Sequence, residues 1–526
     1  MSEENELPSG WAQTTLGEIC SRPQYGWTTK ANPKNGHVKL LRTTDISGGS
    51  INWDTVPYCT EIPENLNAYR LAEDDIVISR AGSVGVSHLL SYIPVETVFA
   101  SYLIRFRPNK EIDPQYVAYF LQTSKYWASI HEQSVGIALA NVNARKLEAI
   151  EFPIAPLPEQ QRIVAAIEQQ FSRLDAGVAA LRQAKKKLKR YRAAVLKVAV
   201  EGKLTEAWRA EHPATEPARK LLERILAERR AKWGADLREK GKDPARVRYV
   251  EPKEPDVESL PELPEGWCWA TVEQVSERIV DCLHSTPVFG ESGYMCIDTN
   301  CIKPGRIVYE KVRYVDEATF VERNHRMKPQ ENDVLFSREG ALLGIAVTVP
   351  ANLEFCLGQR MMIFRLGSCI EAKYYENALN SSVFRSQYAR EITGTASPHL
   401  NIGDICEFAI PLPPLSEQQI IIEETERRLS IVEELTTTVE ANLKRAERLR
   451  QSILKEAFAG RLVPQDPNDE PASVLLERIR GERDGRKNGK VERKAVENVV
   501  LEEPVNIDVE GMQQAGLWEE VGGERE

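Results

Sequence analysis

Apolar side chains recur in alternating steps of four and three along two stretches of the chain. From Ile167 onward the first line runs through Phe171, Leu174, Val178, Leu181, Lys185, Leu188, Arg192, Val195 and Ala199. The second runs through Thr425, Leu429, Val432, Thr436, Val439, Leu443, Ala446, Arg450, Ile453 and Ala457. A spacing that averages 3.5 residues is the seam of a coiled coil, so each stretch predicts one long helix. The two lines superpose at an offset of 258 residues, including the arginine at Arg192 and Arg450. Residues 159–200 would form a rod of roughly 63 Å at 1.5 Å per residue. Ser416 is placed as N-cap with Gln419 three residues on, and Pro158 suits a first helical turn. Gly202 and Gly460 are natural stops. Such a helix cannot bury its seam alone. Antiparallel pairing of the two helices within the chain is expected. Parallel pairing, or a partner protein on each seam, are the alternatives.

The rest of each half alternates short β-rich runs with Gly, Pro, Asn and Asp punctuation, as in Ile76-Val77-Ile78, Tyr102-Leu103-Ile104-Arg105-Phe106 and Met362-Ile363-Phe364-Arg365-Leu366. Helices fit residues 116–121 and 374–379. These regions are expected to be α/β, mixed α+β, globules. Both halves open alike, Leu7-Pro8-Ser9-Gly10-Trp11 and Leu263-Pro264-Glu265-Gly266-Trp267, which reads as a turn before an anchoring Trp. Asp75-Ile76-Val77-Ile78-Ser79-Arg80-Ala81-Gly82 is echoed by Asp333-Val334-Leu335-Phe336-Ser337-Arg338-Glu339-Gly340, and Pro156-Leu157-Pro158-Glu159-Gln160-Gln161 by Pro414-Leu415-Ser416-Glu417-Gln418-Gln419. The chain is a duplication. A third repeated piece, Leu221-Leu222-Glu223-Arg224-Ile225 against Leu475-Leu476-Glu477-Arg478-Ile479, predicts a short charged helix after each rod. The expected order is a globule (1–155), a long helix (156–204), a charged helix with linker (205–262), a second globule (263–413), a second long helix (414–462), a charged helix (463–490) and an acidic tail (491–526) expected to be disordered in part.

Composition narrows the class. With 526 residues, 42% of them apolar and 28% charged, the chain can bury real cores. No apolar run approaches the roughly 18–20 residues of a membrane span, and the start at Met1-Ser2-Glu3-Glu4-Asn5-Glu6 is acidic where a signal peptide is basic. A cytoplasmic location and no membrane partner are expected. The nine cysteines are scattered without paired CxxC spacing and are expected to be buried free thiols. The net charge of −10 argues at first against nucleic acid, yet residues 491–526 carry ten acids against Arg493, Lys494 and Arg525, so the body is only mildly acidic. Residues 182–192 hold seven cations, either a solvated helix face or a phosphate-steering surface.

Catalytic motifs are missing: there is no GxxxxGK[ST], no GxGxxG after a strand and no HExxH. Asn32-Pro33 is followed by Lys34, not by the Pro-Tyr or Pro-Phe of amino-methyltransferases. The histidines lack partners at motif spacing.

The LPxGW openings, the strand and turn ending in Ser-Arg-x-Gly, the PLxEQQ helix starts and the helix end Ala199-Val200-Glu201-Gly202-Lys203-Leu204-Thr205-Glu206-Ala207-Trp208-Arg209, taken in order over residues 7–480, resemble the specificity subunit of type I restriction-modification enzymes. The resemblance implies two target recognition domains, each reading one half of a split, asymmetric double-stranded DNA target, with the paired helices as a ruler for the gap. It implies docking of two methyltransferase subunits, which supply S-adenosylmethionine chemistry, and two motor-nuclease subunits, which supply ATP- and Mg-dependent translocation and cleavage. No cofactor and no catalytic residue are then expected in this chain. A coiled-coil adaptor joining two proteins without DNA is the competing reading.

Base readout requires paired donors and acceptors on loops, plus cations for phosphate. The loop Gln24-Tyr25-Gly26-Trp27-Thr28-Thr29-Lys30 offers Thr28, Thr29 and Lys30, against the plainer reading of a turn packed on the core. His284, Ser285 and Thr286 take those places in the second half. Arg42 with Thr43, and Arg80, could reach guanine edges or phosphates. Arg338 repeats Arg80 in a domain expected to read another sequence, so a phosphate or structural role is preferred for both. Polar loops at Gln133 and Ser134, and at Thr393, Thr395 and His399, complete the candidates.

Overall fold

The computed structural model describes residues 7–134, 141–213, 215–340, 342–389 and 398–493, without the side chains of 133, 134 and 484–493. The chain divides into two compact units, one formed by residues up to 176 together with those from 445 onward, the other by residues 177–444. The two long helices, Leu157–Val200 and Leu415–Phe458, each contribute one end to each unit.

In unit 1 an antiparallel sheet orders the strands Gln24–Tyr25, Leu103–Phe106, Ile76–Ser79 and Ser87–Leu89. A second, mixed sheet contains Ala31–Asn32, Tyr58–Cys59, Lys39–Leu41 and Thr97–Phe99, the last two parallel. The opening strand Ala12–Thr15 pairs with Glu151–Ile154 just before the long helix. Unit 2 repeats this plan. Ser276–Asp281, Met361–Leu366, Val334–Ser337 and Ala346–Thr348 form the antiparallel sheet, Arg313–Val315, Tyr294–Ile297 and Phe355–Leu357 the mixed one, and Cys268–Thr271 pairs with Ala409–Leu412. The architecture is the mixed α+β expected from the alternating runs. The helices expected at 116–121 and 374–379 form as Pro114–Phe120 and Ala372–Leu379.

The openings behave as anchors. Trp11 and Trp267 are buried, and the amide of each closes a turn on the carbonyl of Pro8 or Pro264 at 3.1 Å. Asp75 and Asp333 are buried and receive Arg107 and Arg365, each through two hydrogen bonds of 2.6–2.9 Å. The long helices begin at Leu157 and Leu415, one residue before the expected Ser416 cap, so Ser416 lies inside the helix. The motif works otherwise. Gln160 and Gln418 donate to the carbonyls of Ala155 and Pro413 and accept the amides of Asp113 and Glu371, tying each helix start to the sheet strand before it and to the shorter helix nearby. At the far ends Gly202 and Gly460 adopt φ of +69° and +67°, and the amides of Lys203 and Arg461 return to Val198 and Glu456, the left-handed stop that glycine makes without strain.

Within unit 2 Lys185 meets Glu440 and Arg192 meets Glu433, so the helices run antiparallel. Within unit 1 Arg450 meets Asp175 and lies over the Phe171 ring at 4.0 Å. The pairs Arg192–Glu433 and Arg450–Asp175 map onto each other at the 258-residue offset, so the arginines that interrupt both seams are repeat-related interhelical contacts. Lys185 is half-exposed and Ala184 faces inward in its place, a local shift of the expected seam.

The charged helices are longer than expected, Ala218–Glu239 and Ala472–Arg493, and are integral to the cores. Ala218, Leu221 and Ile225 join the unit 2 core; Ala472, Leu475, Leu476 and Ile479 join that of unit 1. At roughly 1.5–3 kcal/mol per buried large aliphatic side chain, these straps contribute substantially. Their first amides bond matching places, Ala218 to Gly266 and Ala472 to Gly10, both at 2.8 Å. The second strap takes in 491–493 of the expected acidic tail; 494–526 lie outside the described residues. All nine cysteines are free, Cys268 and Cys406 half-buried and the others buried. No helix among the described residues is long and apolar enough to cross a membrane.

One carboxylate at the base of each long helix joins three segments. In unit 2 the buried Glu417 accepts Trp267 Nε1 at 2.8 Å, Thr205 Oγ1 at 2.6 Å and Arg209 Nη1 at 2.5 Å, while Arg209 also donates to the Gly202 carbonyl. In unit 1 Glu159 accepts the neutral Gln465 at 3.2 Å, and Gln465 donates to the Gly460 carbonyl. Burial pushes the Glu159 carboxyl above its ordinary value, partly offset by Gln465 and Trp11. A carboxyl with a raised pKa in the fold stabilises it most when protonated, and this contribution is lost as pH rises through the folded value. Glu159→Gln is therefore expected to leave the thermal midpoint at pH 7 unchanged or raised, the gain shrinking toward pH 4. Glu417→Gln strands Arg209 and is expected to cost about 3 kcal/mol. Calorimetry of the two variants across pH checks both directions.

Candidate nucleic-acid interface

The unit 1 loop after Gln24–Tyr25 is pinned by its backbone. Gly26 N donates to Leu103 O (3.2 Å), Trp27 N to Phe99 O (2.7 Å) and Ser101 N to Trp27 O (3.1 Å). The Trp27 indole donates to the Glu61 carbonyl and its ring meets Tyr69 at 5.4 Å. Thr28 and Lys30 are left exposed, while Thr29 Oγ1 accepts the Glu61 amide at 3.1 Å. On the other side of the 99–101 backbone, Ala100 N donates to Leu41 O, and Arg42 and Thr43 leave the sheet at that point. The Arg42 guanidinium is held by both oxygens of Asp45. Arg80 N donates to Tyr102 O at 2.9 Å, and its guanidinium lies 4.8 Å from the Tyr25 ring and 3.5 Å from Asn141 Oδ1. Thr28, Lys30, Arg42, Thr43 and Arg80 are thus gathered around the link at 100–102.

Unit 2 repeats the construction with other side chains. Cys282 N donates to Met361 O, Gly358 N to Ile297 O, and Arg338 N to Arg360 O at 3.0 Å. His284 is exposed, with Nε2 3.3 Å from Asp281 and its carbonyl accepting Gln359 Nε2 at 2.8 Å. Ser285 is exposed but its carbonyl receives the buried Arg323; Thr286 is exposed. Arg338 is buried, with its guanidinium on Glu339 (2.9 Å), the Leu400 carbonyl (3.2 Å) and His284 Nδ1 (3.5 Å). His399 is exposed, its backbone bridged to Glu339 as Asn141 is to Ala81. Gln133 and Ser134 end the helix Ser124–Ser134 and are not in the expected loop; their side chains, like Thr393 and Thr395, lie outside the described residues. Of the basic run, Lys185 and Arg192 are interhelical contacts, and Arg182, Lys186, Lys187, Lys189 and Arg190 are exposed.

Strand register fixes which residues correspond. Tyr25 faces Ile104 and Asp281 faces Met362; Leu41 faces Phe99 and Ile297 faces Leu357. The offset is 256 before the middle strands and 258 after them. Thr28, Thr29 and Lys30 match His284, Ser285 and Thr286, and Arg42 matches Asp298, whose carboxylate holds Arg313. That last match shares the 256-residue offset of the loops and escaped the sequence reading because an arginine and an aspartate share no chemistry. Also missed were Tyr102 and its counterpart Arg360, both about half-exposed in the link. They were legible in principle, lying between two strands already aligned at 258. The framework is shared and the exposed chemistry differs: hydroxyls, a lysine and a tyrosine in unit 1; a histidine, hydroxyls and an arginine in unit 2. Such groups can pair with base edges and phosphates.

The sequence profile of the type I restriction modification DNA specificity domain matches residues 8–189 and 293–445, more than half of the chain. The chain belongs to the type I restriction-modification DNA specificity family. Similar members include the type I restriction enzyme EcoKI specificity subunit of Escherichia coli K12, 26% identical over 517 residues and spanning 93% of this chain and 99% of that protein. The StySPI specificity subunit of Salmonella potsdam is 24% identical over 504 residues, 91% and 96% of the two chains. A chain solved in work on complex assembly and conformational transition of the type I R-M system shares the fold, with a TM-score of 0.55, 18% identity and coverage of 87% of this chain and 99% of that one.

The two matched arginines of this family member should separate in a stability assay. Arg338→Met leaves a buried carbonyl unpaired and Glu339 with only its 3.9 Å contact to Arg360, and is expected to cost roughly 3 kcal/mol, whereas the partly exposed Arg80→Ala should cost under about 1 kcal/mol. Thermal unfolding followed by circular dichroism reads both.

Proposed function

We infer that the chain is the DNA sequence-recognition subunit of a type I restriction-modification complex. One observation carries this reading. Two frameworks built on the same backbone contacts present different side chains at matched positions, as two readers of unlike half-sites require. Residues 12–150 read one half of a bipartite, asymmetric double-stranded target through Thr28, Lys30, Arg42, Thr43 and Arg80, with Thr29 supporting the loop. The second domain reads the other half through His284, Ser285, Thr286 and His399, with Arg338 as support. Gln133, Ser134, Thr393 and Thr395 are proposed to take part as well. The paired helices set the gap.

Catalysis rests with other chains. Two methyltransferase subunits bring S-adenosylmethionine and the base chemistry, and two motor-nuclease subunits bring ATP and Mg. The chain itself is non-catalytic and works in the cytoplasm, without a membrane.

The test is base-resolution mapping of methylated adenines in cells with and without this gene. A two-part motif that vanishes on deletion is expected. Exchanging residues 12–150 for those of another family member should change only one half of the motif, and inserting a turn into Leu157–Val200 should change only the gap. An unchanged methylation pattern on deletion would favour the protein-adaptor reading, and a change in both halves after the exchange would contradict the modular one.

A further inference from the structure

The link between the two sheets takes different paths in the two units, and one side chain explains why. In unit 1 residues 100–102 turn tightly, Leu103 N closing on Ala100 O at 2.9 Å. That turn rests on Gly26, where an added Cβ would meet Ala100 O at 2.2 Å and Phe99 O at 2.3 Å. In unit 2 the matched residue is Cys282, whose buried side chain lies against the link, with Sγ beside Met361 N. The tight turn is therefore barred. Met361 N donates instead to Cys282 Sγ at 3.3 Å, and Arg360 adopts φ of +65°.

Among the described residues, the other non-glycines with positive φ are Asp74, Asn332 and Asn352, types that tolerate this region through their short polar side chains. An arginine has no such compensation, and strain retained at an exposed position points to function. The Arg360 carbonyl is fixed by Arg338 N at 3.0 Å, and its side chain is 53% exposed with, among the described residues, one long ion-pair contact, Nε to Glu339 at 3.9 Å. Exposed His284 lies one residue along, through Gln359. A guanidinium on a turn held by backbone hydrogen bonds, and little engaged among the described residues, has the forked geometry that matches N7 and O6 of guanine.

We propose that Arg360 reads a guanine in the half-site of the second repeat and that Cys282 is the positioning residue that sets its turn. This rests on the chain being a DNA-recognition subunit. Tyr102 stands at the matched place in the first repeat, so that repeat reads the corresponding base by other means.

The experiment uses the complex assembled with its partner subunits. Methylated motifs are mapped for the unaltered chain and for Arg360→Ala, Arg360→Lys and Arg360→Gly, and binding is measured on the mapped site with each guanine of the second half replaced in turn. The alanine and lysine variants are expected to lose discrimination at one guanine, with cognate binding falling roughly 10-fold or more. Arg360→Gly relieves the backbone and should raise the thermal midpoint while losing the same guanine, which separates reading from folding. An unchanged motif in all three variants overturns the proposal, as does a second half-site without guanine. Equal loss on cognate and random DNA, with a salt dependence weakened by about one phosphate contact, would make Arg360 a backbone contact and also overturn it. If the unaltered complex yields no motif, the recognition reading itself has failed, a result distinct from all of these.

Discussion

A buried acceptor side chain at the start of each long helix is the constraint on which the rest of the structure depends. Glu417 accepts donors from the opening Trp267 and from Thr205 and Arg209, just past the end of the other helix. Glu159 holds the same place with Gln465. Since each glutamate binds groups that follow the opposite helix's end, neither unit can close unless the helices run antiparallel. The donors also bond the carbonyls of Gly202 and Gly460, so the left-handed stops and the buried glutamates act as one device. In unit 2 the glutamate meets a cation and in unit 1 a neutral amide, which makes unit 2 the more dependent on an intact pair.

This closure has a topological consequence. The strap that completes unit 2 comes from the middle of the chain, whereas the one that completes unit 1 comes from beyond the second helix, over 450 residues from the Gly10 carbonyl it bonds. The duplicated pieces therefore occupy equivalent places although one of them must return to the beginning. Such contacts fix the framework and leave the exposed links and loops free to differ. The exchange of Gly26 for Cys282 shows how one buried side chain can redirect a link and present a new group.

Much of this was legible in the sequence because it obeys simple periods. The four-three seam gave the long helices, the glycines their ends, and the duplication the equivalence of loops 28–30 and 284–286. What escaped was encoded in tertiary contacts. The straps looked like charged helices, since few apolar residues, chiefly Ala218, Leu221 and Ile225, or Ala472, Leu475, Leu476 and Ile479, mark their buried faces. Ser416 looked like a cap, yet the backbone continued one residue further because Gln418 and Glu417 anchor the helix start. Arg338 looked as available as Arg80 until burial and Glu339 separated them. Arg42 and Asp298 share the 256-residue offset of those loops, but their opposite charges hid the match.

The central claim is that the two frameworks face two different stretches of DNA. Its most direct test places a photo-crosslinking residue at Thr28 or, separately, at Thr286 in the assembled complex and identifies the crosslinked nucleotide at base resolution. Crosslinks from the two positions should fall in opposite halves of one bipartite site, separated by the unspecified gap. Crosslinks to the same half, or to protein alone, would contradict the account.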